Sequence, residues 1–432
     1  MRAADNSWCI RGCRIVDPGS GREEVADLAM RDGKIAELPA PPGVPEIAGE
    51  GLTAVPALID LHVHLREPGA ERTETVASGS RAAARGGFGT VLAMPNTQPP
   101  IDTPQRVAEL LAKGAASGRV RVMASACITI GRAGRELADL AALAGAGAAA
   151  FTDDGSTVPD AGLLHRAMQR AAELGLPILD HALDPTLAGA GVMHEGARAR
   201  ALGYPGIPAE AERRIVARDA RLARETGCAL HIQHVSTREA VQELRAALRT
   251  GARISAELTP HHLALIDEDV HADSVDHKMN PPLGSRADRA ALRDAVVDGT
   301  ICAFATDHAP HSPERKAQGF LSAPFGVVGL ETAVGVTHTE LVDSGRMPLS
   351  TWVHRWTCGP AAVLGLPEPT LVPGAPADVT LLELDTPWSV RPADFVSKSS
   401  NTPFAGKTLT GRCVATFLAG CPSYAAPGLL PA

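Results

Sequence analysis

Histidines and aspartates recur in short clusters along the middle of this chain. His62 and His64 lie in Asp60-Leu61-His62-Val63-His64, Asp153 and Asp154 in Phe151-Thr152-Asp153-Asp154-Gly155, and His181 follows Leu179-Asp180. His231 and His234 bracket Ile232-Gln233, and Asp307 stands in Ala305-Thr306-Asp307-His308. Imidazole and carboxylate are the donors zinc takes when it hydrolyses bonds, and a catalytic zinc keeps one position open for water. Residues two apart on a strand share a face, so His62 and His64 can share one metal. Any of these residues alone is more often a cap or a satisfied core group. Four histidines (His62, His64, His181, His234) and two acids (Asp154, Asp307) arriving together point to a hydrolytic metal centre.

Such residues must be carried to one place by regular elements. Short apolar runs at residues 54–61, 90–94, 121–126, 148–151, 177–179, 229–232, 253–256 and 301–305 read as strands. Between them lie Ala- and Arg-rich stretches of helical pattern, including 78–85, 163–174, 209–226 and 237–249. Eight strands alternating with helices predict an α/β fold, a TIM (β/α)8 barrel. The His and Asp residues fall just past the C-terminal ends of these strands, the face where barrels place active sites. Both chain ends read as strands, with an Asp32-Gly33 hairpin turn between Met30 and Ile35. They are expected to pair into a small β-sandwich domain, giving segments 1–54 and 366–432 of a β domain around a barrel at 55–365.

Composition narrows the function. The chain has 432 residues, 45% hydrophobic and 21% charged, with a formal net charge of −8. That is globular composition without the basic footprint of a nucleic-acid binder. No apolar run reaches the roughly 18 residues a membrane span needs. The N-terminus, Met1 to Asn6, carries an acid early and has no apolar leader region, so the expected location is cytoplasmic. The eight cysteines are scattered, with no Cys-x-x-Cys pair, and read as small core residues rather than a disulfide framework.

Longer motifs give a family resemblance. His62-Val63-His64-Leu65-Arg66-Glu67-Pro68-Gly69, Met94-Pro95-Asn96-Thr97, Phe151-Thr152-Asp153-Asp154-Gly155 and Ala305-Thr306-Asp307-His308-Ala309-Pro310-His311 resemble the class I dihydroorotases of the amidohydrolase superfamily. Segments at 325–332 and 397–403 also look like family segments, so the resemblance runs from about residue 15 to 412. It implies two zinc ions: His62, His64 and Asp307 on the first, His181 and His234 on the second, and Asp154 between or beside them. It implies substrate contacts from His64, Arg66, Asn96, Asn280 and His311, with Phe325 and Gly326 lining the pocket through their backbone. Asp307 would be the catalytic base and then acid.

Many relatives bridge their metals with a carboxylated lysine on the fourth strand. This chain has no lysine between Lys113 and Lys278, so a true carboxylate must serve, Asp154 first and Asp153 as runner-up. Residues three apart on a strand face opposite ways, so at most one of His231 and His234 should reach the mouth, and the resemblance points to His234, as it does to Asp154; His261-His262 is a further histidine pair after the seventh strand. The implied reaction is the reversible cyclisation of N-carbamoyl-L-aspartate to L-dihydroorotate, in pyrimidine synthesis. Arg66 suits the substrate's free carboxylate, since guanidinium binds carboxylate in a bidentate fork. The resemblance also implies a homo-oligomer and aspartate carbamoyltransferase as a partner. The competing readings are an allantoinase or dihydropyrimidinase, which usually use the absent lysine, and a non-catalytic scaffold of the carbamoyltransferase, which tends to lose metal ligands. Two positions depart from the family pattern: Leu183, where relatives often carry an acid, and Gly284, where an arginine often follows the leucine.

Overall fold

A computed structural model describes residues 6–40 and 43–431. The N-terminal stretch read above for a leader therefore lies, up to Asp5, outside the described residues. Eight parallel strands form the central sheet: Leu58–Val63, Phe88–Ala93, Arg121–Ala126, Ala148–Phe151, Ile178–Asp180, Leu230–Ile232, Ile254–Leu258 and Ala303–Phe304. They neighbour one another in chain order. The ring closes where Val63 pairs with His308 and the His64 N–H donates to the His308 carbonyl at 2.8 Å. The architecture is a TIM barrel with its helices outside.

The helices form where apolar spacing and end signals agree. Glu210–Thr226 buries Ala211, Ile215, Val216, Leu222 and Ala223 on one face and stops at Gly227 in the left-handed conformation. Arg238–Arg249 starts at Thr237, whose side chain accepts from the Ala240 N–H. Their buried faces join one large apolar layer between helices and strands.

Both ends of the chain meet in one eight-stranded sheet. Thr53–Pro56 joins the halves, parallel to Trp8–Asp17 and antiparallel to Val379–Glu383. Arg22–Arg31 turns through Asp32 and Gly33, both at positive φ, into Lys34–Ala36, which is the expected hairpin. This sheet keeps its own core around Ile10, Ile15, Leu28, Val379 and Phe417. All eight cysteines are free.

The apolar run at 54–61 is one strand in the sequence reading but two in the structure. Thr53–Pro56 belongs to the terminal sheet and Leu58–Val63 opens the barrel, with Ala57 between them donating to the Asp378 carbonyl. Both pieces are buried on both faces, so no change of polarity marks the switch. A second departure lies just beyond. The pairing of the first two barrel strands slips by one residue between Asp60 and Val63. Such bulges re-aim side chains beside active sites, and this one contains His62 and comes just before His64.

Candidate active site

The nominated residues converge at the C-terminal mouth of the barrel. His62 lies near the end of the first strand and His64 just past it, with ring centroids 5.3 Å apart. Asp154 follows the fourth strand, His181 the fifth, His234 the sixth and Asp307 the eighth. Two donor groups result, His62–His64–Asp154 and Asp154–His181–His234, each with its ligand atoms within 4.8 Å of one another. Asp154 is common to both. Asp307 Oδ1 stands 3.0 Å from His64 Nε2 and 3.6 Å from His62 Nε2.

The donor set fits a cation. His62 Nε2 lies 3.1 Å from Asp154 Oδ1 yet is buried without a hydrogen bond, and His234 Nδ1 is likewise buried and unpaired. Orphaned buried nitrogens cost on the order of 1–3 kcal/mol each unless a ligand meets them. Burial alone would lower the His62 pKa, but the Asp154 and Asp307 carboxylates outweigh it and push the imidazole well up. Burial would raise Asp154, and the neighbouring histidines pull it well down. The cluster therefore calls for positive charge at its centre, which a proton on His62 supplies when no metal does. Burial lowers His181 to about 4 and holds His234 well below its usual value, so both offer neutral lone pairs at pH 7.

Three of these positions hold backbone that L-residues rarely adopt: Arg66 at φ 57°, His234 at φ 31° and Asp307 at φ 46°. Each costs about 1–3 kcal/mol and persists only where the surroundings over-determine it, as at functional sites. His234 also shows why strand alternation does not choose between it and His231. The strand ends at Ile232, so the two residues are not on one continuous strand. His231 instead donates to Glu257 Oε2 and pairs with Ser255 below the mouth. His262 Nε2–H donates to the Pro281 carbonyl, and neither it nor His261 joins either donor group. Asp153 turns away: its carboxylate accepts from the Ile128 and Thr129 N–H groups.

A cavity of about 350 Å³ opens above this cluster, and every nominated residue except His62 lines it. Asn96 joins the two acid-base sides, accepting from His64 Nδ1 at 2.8 Å and donating to Asp154 Oδ2 at 2.9 Å. Asn280 donates to His181 Nε2, and its Oδ1 is buried without a partner. Arg66 is held through Nε on the Pro310 carbonyl, while Nη1 has no protein partner among the described residues. Burial pushes its pKa down to about 10, which leaves it charged at pH 7. His311 Nε2 sits 2.7 Å from the Phe325 carbonyl, which only accepts, so that nitrogen carries the proton. Burial lowers His311 to about 3, keeping the ring neutral. The Gly326 N–H is already committed to the Lys278 carbonyl at 2.9 Å. A larger cleft, about 750 Å³, lies beside the terminal sheet, but its arginines 85, 391 and 412 are paired with Glu331, Asp394 and Glu383 and it holds none of the nominated residues.

Sequence reasoning missed Glu257. It is fully buried, accepts from His62 Nδ1 at 2.9 Å and His231 Nε2 at 3.1 Å, and takes the His234 N–H at 3.3 Å. Burial would raise its pKa; the hydrogen bonds from His231 and His62 outweigh that and hold it at about 2. It fixes the His62 tautomer so that Nε2 faces the mouth. The signal was an acid inside an apolar strand, one residue past the 253–256 reading. Arg132 was missed too; its Nη2 donates to the Asp154 carbonyl.

A TIM barrel with two histidine–aspartate donor groups at its mouth is the arrangement of a metal-dependent cyclic amidohydrolase, and solved structures bear out the fold. An L-hydantoinase (dihydropyrimidinase) from Arthrobacter aurescens superposes with a TM-score of 0.84 over 98% of this chain and 97% of that one, at 24% identity. A dihydropyrimidinase from Brevibacillus agri gives the same TM-score at 20% identity over 97% and 95%. Sequence is more specific. A dihydro-orotase-like family model matches residues 51–240. A dihydroorotase from Pelotomaculum thermopropionicum is 48% identical over 95% of this chain and 97% of its own length, and one from Anaeromyxobacter dehalogenans 46% over 95% and 96%. The chain belongs to the dihydroorotase family.

Proposed function

We propose that this enzyme interconverts N-carbamoyl-L-aspartate and L-dihydroorotate, the third step of de novo pyrimidine synthesis, with two zinc ions. The observation that carries the reading is that Arg66, whose Nη1 has no protein partner among the described residues, lines the same cavity as two donor groups sharing Asp154. The reaction needs that pairing: a cation for the carboxylate that does not react, and a hydrolytic centre for the amide that does.

His62, His64 and Asp307 would hold one zinc, His181 and His234 the other, with Asp154 between them. Zinc there supplies a nucleophile at neutral pH and polarises a carbonyl. In ring opening, Asp307 takes the proton from the attacking water and delivers it to the departing ring nitrogen as the C–N bond breaks. In ring closure, with the reacting carboxyl protonated from solvent, it takes the ureido N–H proton as the C–N bond forms and hands it to the leaving hydroxyl, which departs as water. Arg66 binds the spectator carboxylate. Asn96 and His64 contact the substrate at the reacting end, the free Oδ1 of Asn280 accepts a ring N–H, and His311 with the 325–326 backbone lines the pocket.

No helix among the described residues is long and apolar enough to cross a membrane. A cytoplasmic enzyme, assembled as a homo-oligomer and associated with aspartate carbamoyltransferase, is the cellular setting we propose. Specific activity that stays constant with and without the carbamoyltransferase would argue against that association. The deciding experiment is turnover of L-dihydroorotate by the zinc-loaded chain beside allantoin and dihydrouracil. Turnover of dihydroorotate alone is expected. Turnover of either neutral ring in its place would reassign Arg66, and zinc binding without any turnover would favour a scaffold role.

A further inference from the structure

The segment that follows His311 is exposed nearly throughout. Pro313, Glu314, Arg315, Ala317, Gln318 and Gly319 all face solvent, yet Lys316 among them is only 4% exposed. Its ammonium turns inward and donates to the Pro324 carbonyl at 3.2 Å and the Gly326 carbonyl at 3.0 Å, bracketing Phe325. Lysine is almost never fully buried, and burial pushes this one's pKa down to about 8. A loop that only connected two elements would have no need of that arrangement.

The turn it grips lines the same cavity as the metal donors. Asn401 Nδ2 also donates to the Gly326 carbonyl, at 3.1 Å, and His311 Nε2–H holds the Phe325 carbonyl. A second buried ammonium, Lys278, donates to the Leu321 carbonyl at 2.9 Å and lies 4.7 Å above the Phe325 ring. Backbone approaches closely here: a Cβ on Gly326, at φ 121°, would stand 2.6 Å from the Ala309 Cβ. Lys316 is the member of this set that comes from the exposed segment, so it ties that segment to the wall.

We propose that Lys316 is a positioning residue for substrate binding: its ammonium fixes the 324–326 turn in the shape that receives the substrate and draws the 312–323 loop down over the mouth. Two of the ammonium's three rotatable donors meet backbone carbonyls and none meets a carboxylate among the described residues, a grip that releases and re-forms without breaking an ion pair. The role rests on the reading of 325–326 as the substrate wall, and deepens it.

The test is steady-state kinetics of the zinc-loaded full chain on L-dihydroorotate with Lys316→Met and Lys316→Arg, beside chymotrypsin cleavage at Phe320 and Leu321. Lys316→Met is expected to raise KM about tenfold or more with kcat changed less than about threefold, to leave zinc content and Tm as in the parent, and to speed cleavage about tenfold. Lys316→Arg should recover most of the KM. An unchanged KM, or kcat, zinc content and Tm falling together, would overturn the proposal. Should Lys316→Met not fold, Lys316→Gln is judged by the same measures. If the parent chain does not turn over dihydroorotate, the substrate assignment fails on its own, and equal cleavage rates of parent and variant would still overturn the role of Lys316.

Discussion

The two sides of the cavity are built by different means. On the metal side, His62 leaves a strand, and His64, Asp154 and His181 stand within three residues of one. Their partners are other side chains: buried Glu257 beneath His62, half-buried Asn96 between His64 and Asp154, and half-buried Asn280 on His181. At the 324–326 turn the groups that matter are backbone carbonyls, held by Lys316, Asn401 and His311. A metal centre tolerates little displacement, so rigid strands and second carboxylates suit it. A wall that a substrate must pass does better with contacts made by long side chains from a surface segment.

That contrast can be broken at four points, ordered by expected effect on turnover. Asp307→Asn removes the proton carrier and should cut turnover by about a thousandfold, within the usual range for a general base; zinc content, measured alongside, should show whether a ligand was lost as well. Glu257→Gln keeps the volume but removes the charge beneath His62. Zinc affinity should fall roughly 10- to 100-fold in a competition titration, with KM at saturating zinc little changed. Arg66→Lys keeps the charge and loses the fork, so KM for dihydroorotate should rise about tenfold, near the strength of one charge-assisted hydrogen bond. An equal weakening of dihydrouracil, which has no carboxylate, as a competitive inhibitor would show that Arg66 acts on the fold of the mouth and not on the substrate.

The smallest change is expected one residue from one of the largest. Asp153→Ala leaves the Ile128 and Thr129 N–H groups buried without their acceptor, costing about 1–3 kcal/mol in a denaturant titration. Zinc content should stay at the parent level. Loss of zinc in Asp153→Ala as complete as in Asp154→Ala would mean the floor is less rigid than the comparison holds.

Much of this was legible before any coordinates. Strand-period apolar runs separated by helical stretches located all eight barrel strands, and the clusters after them named the histidines and acids at the mouth. What failed to show was local. The apolar run at 54–61 hid a change of sheet because both halves are buried. The bulge between Asp60 and Val63 shifts the strand by a residue that no pattern marks. Glu257 and Lys316 were passed over because buried charge in a strand and buried charge in a loop look the same in a sequence as any acid or lysine; only the partner, far along the chain, makes them matter.

The sequence by itself determined the class of chemistry, since donor types and their places after strands restrict what the mouth can bind. It excluded a carboxylated lysine on the fourth strand, since no lysine stands between Lys113 and Lys278. Which member of each close pair reaches the cavity was decided by tertiary structure alone. Asp154 and not Asp153, and His234 and not His231, face the centre because of where the strand ends and how the chain bends past it, at φ 31° in the case of His234. Direction beyond a strand end is set by the groups the chain meets there, and those come from the whole barrel.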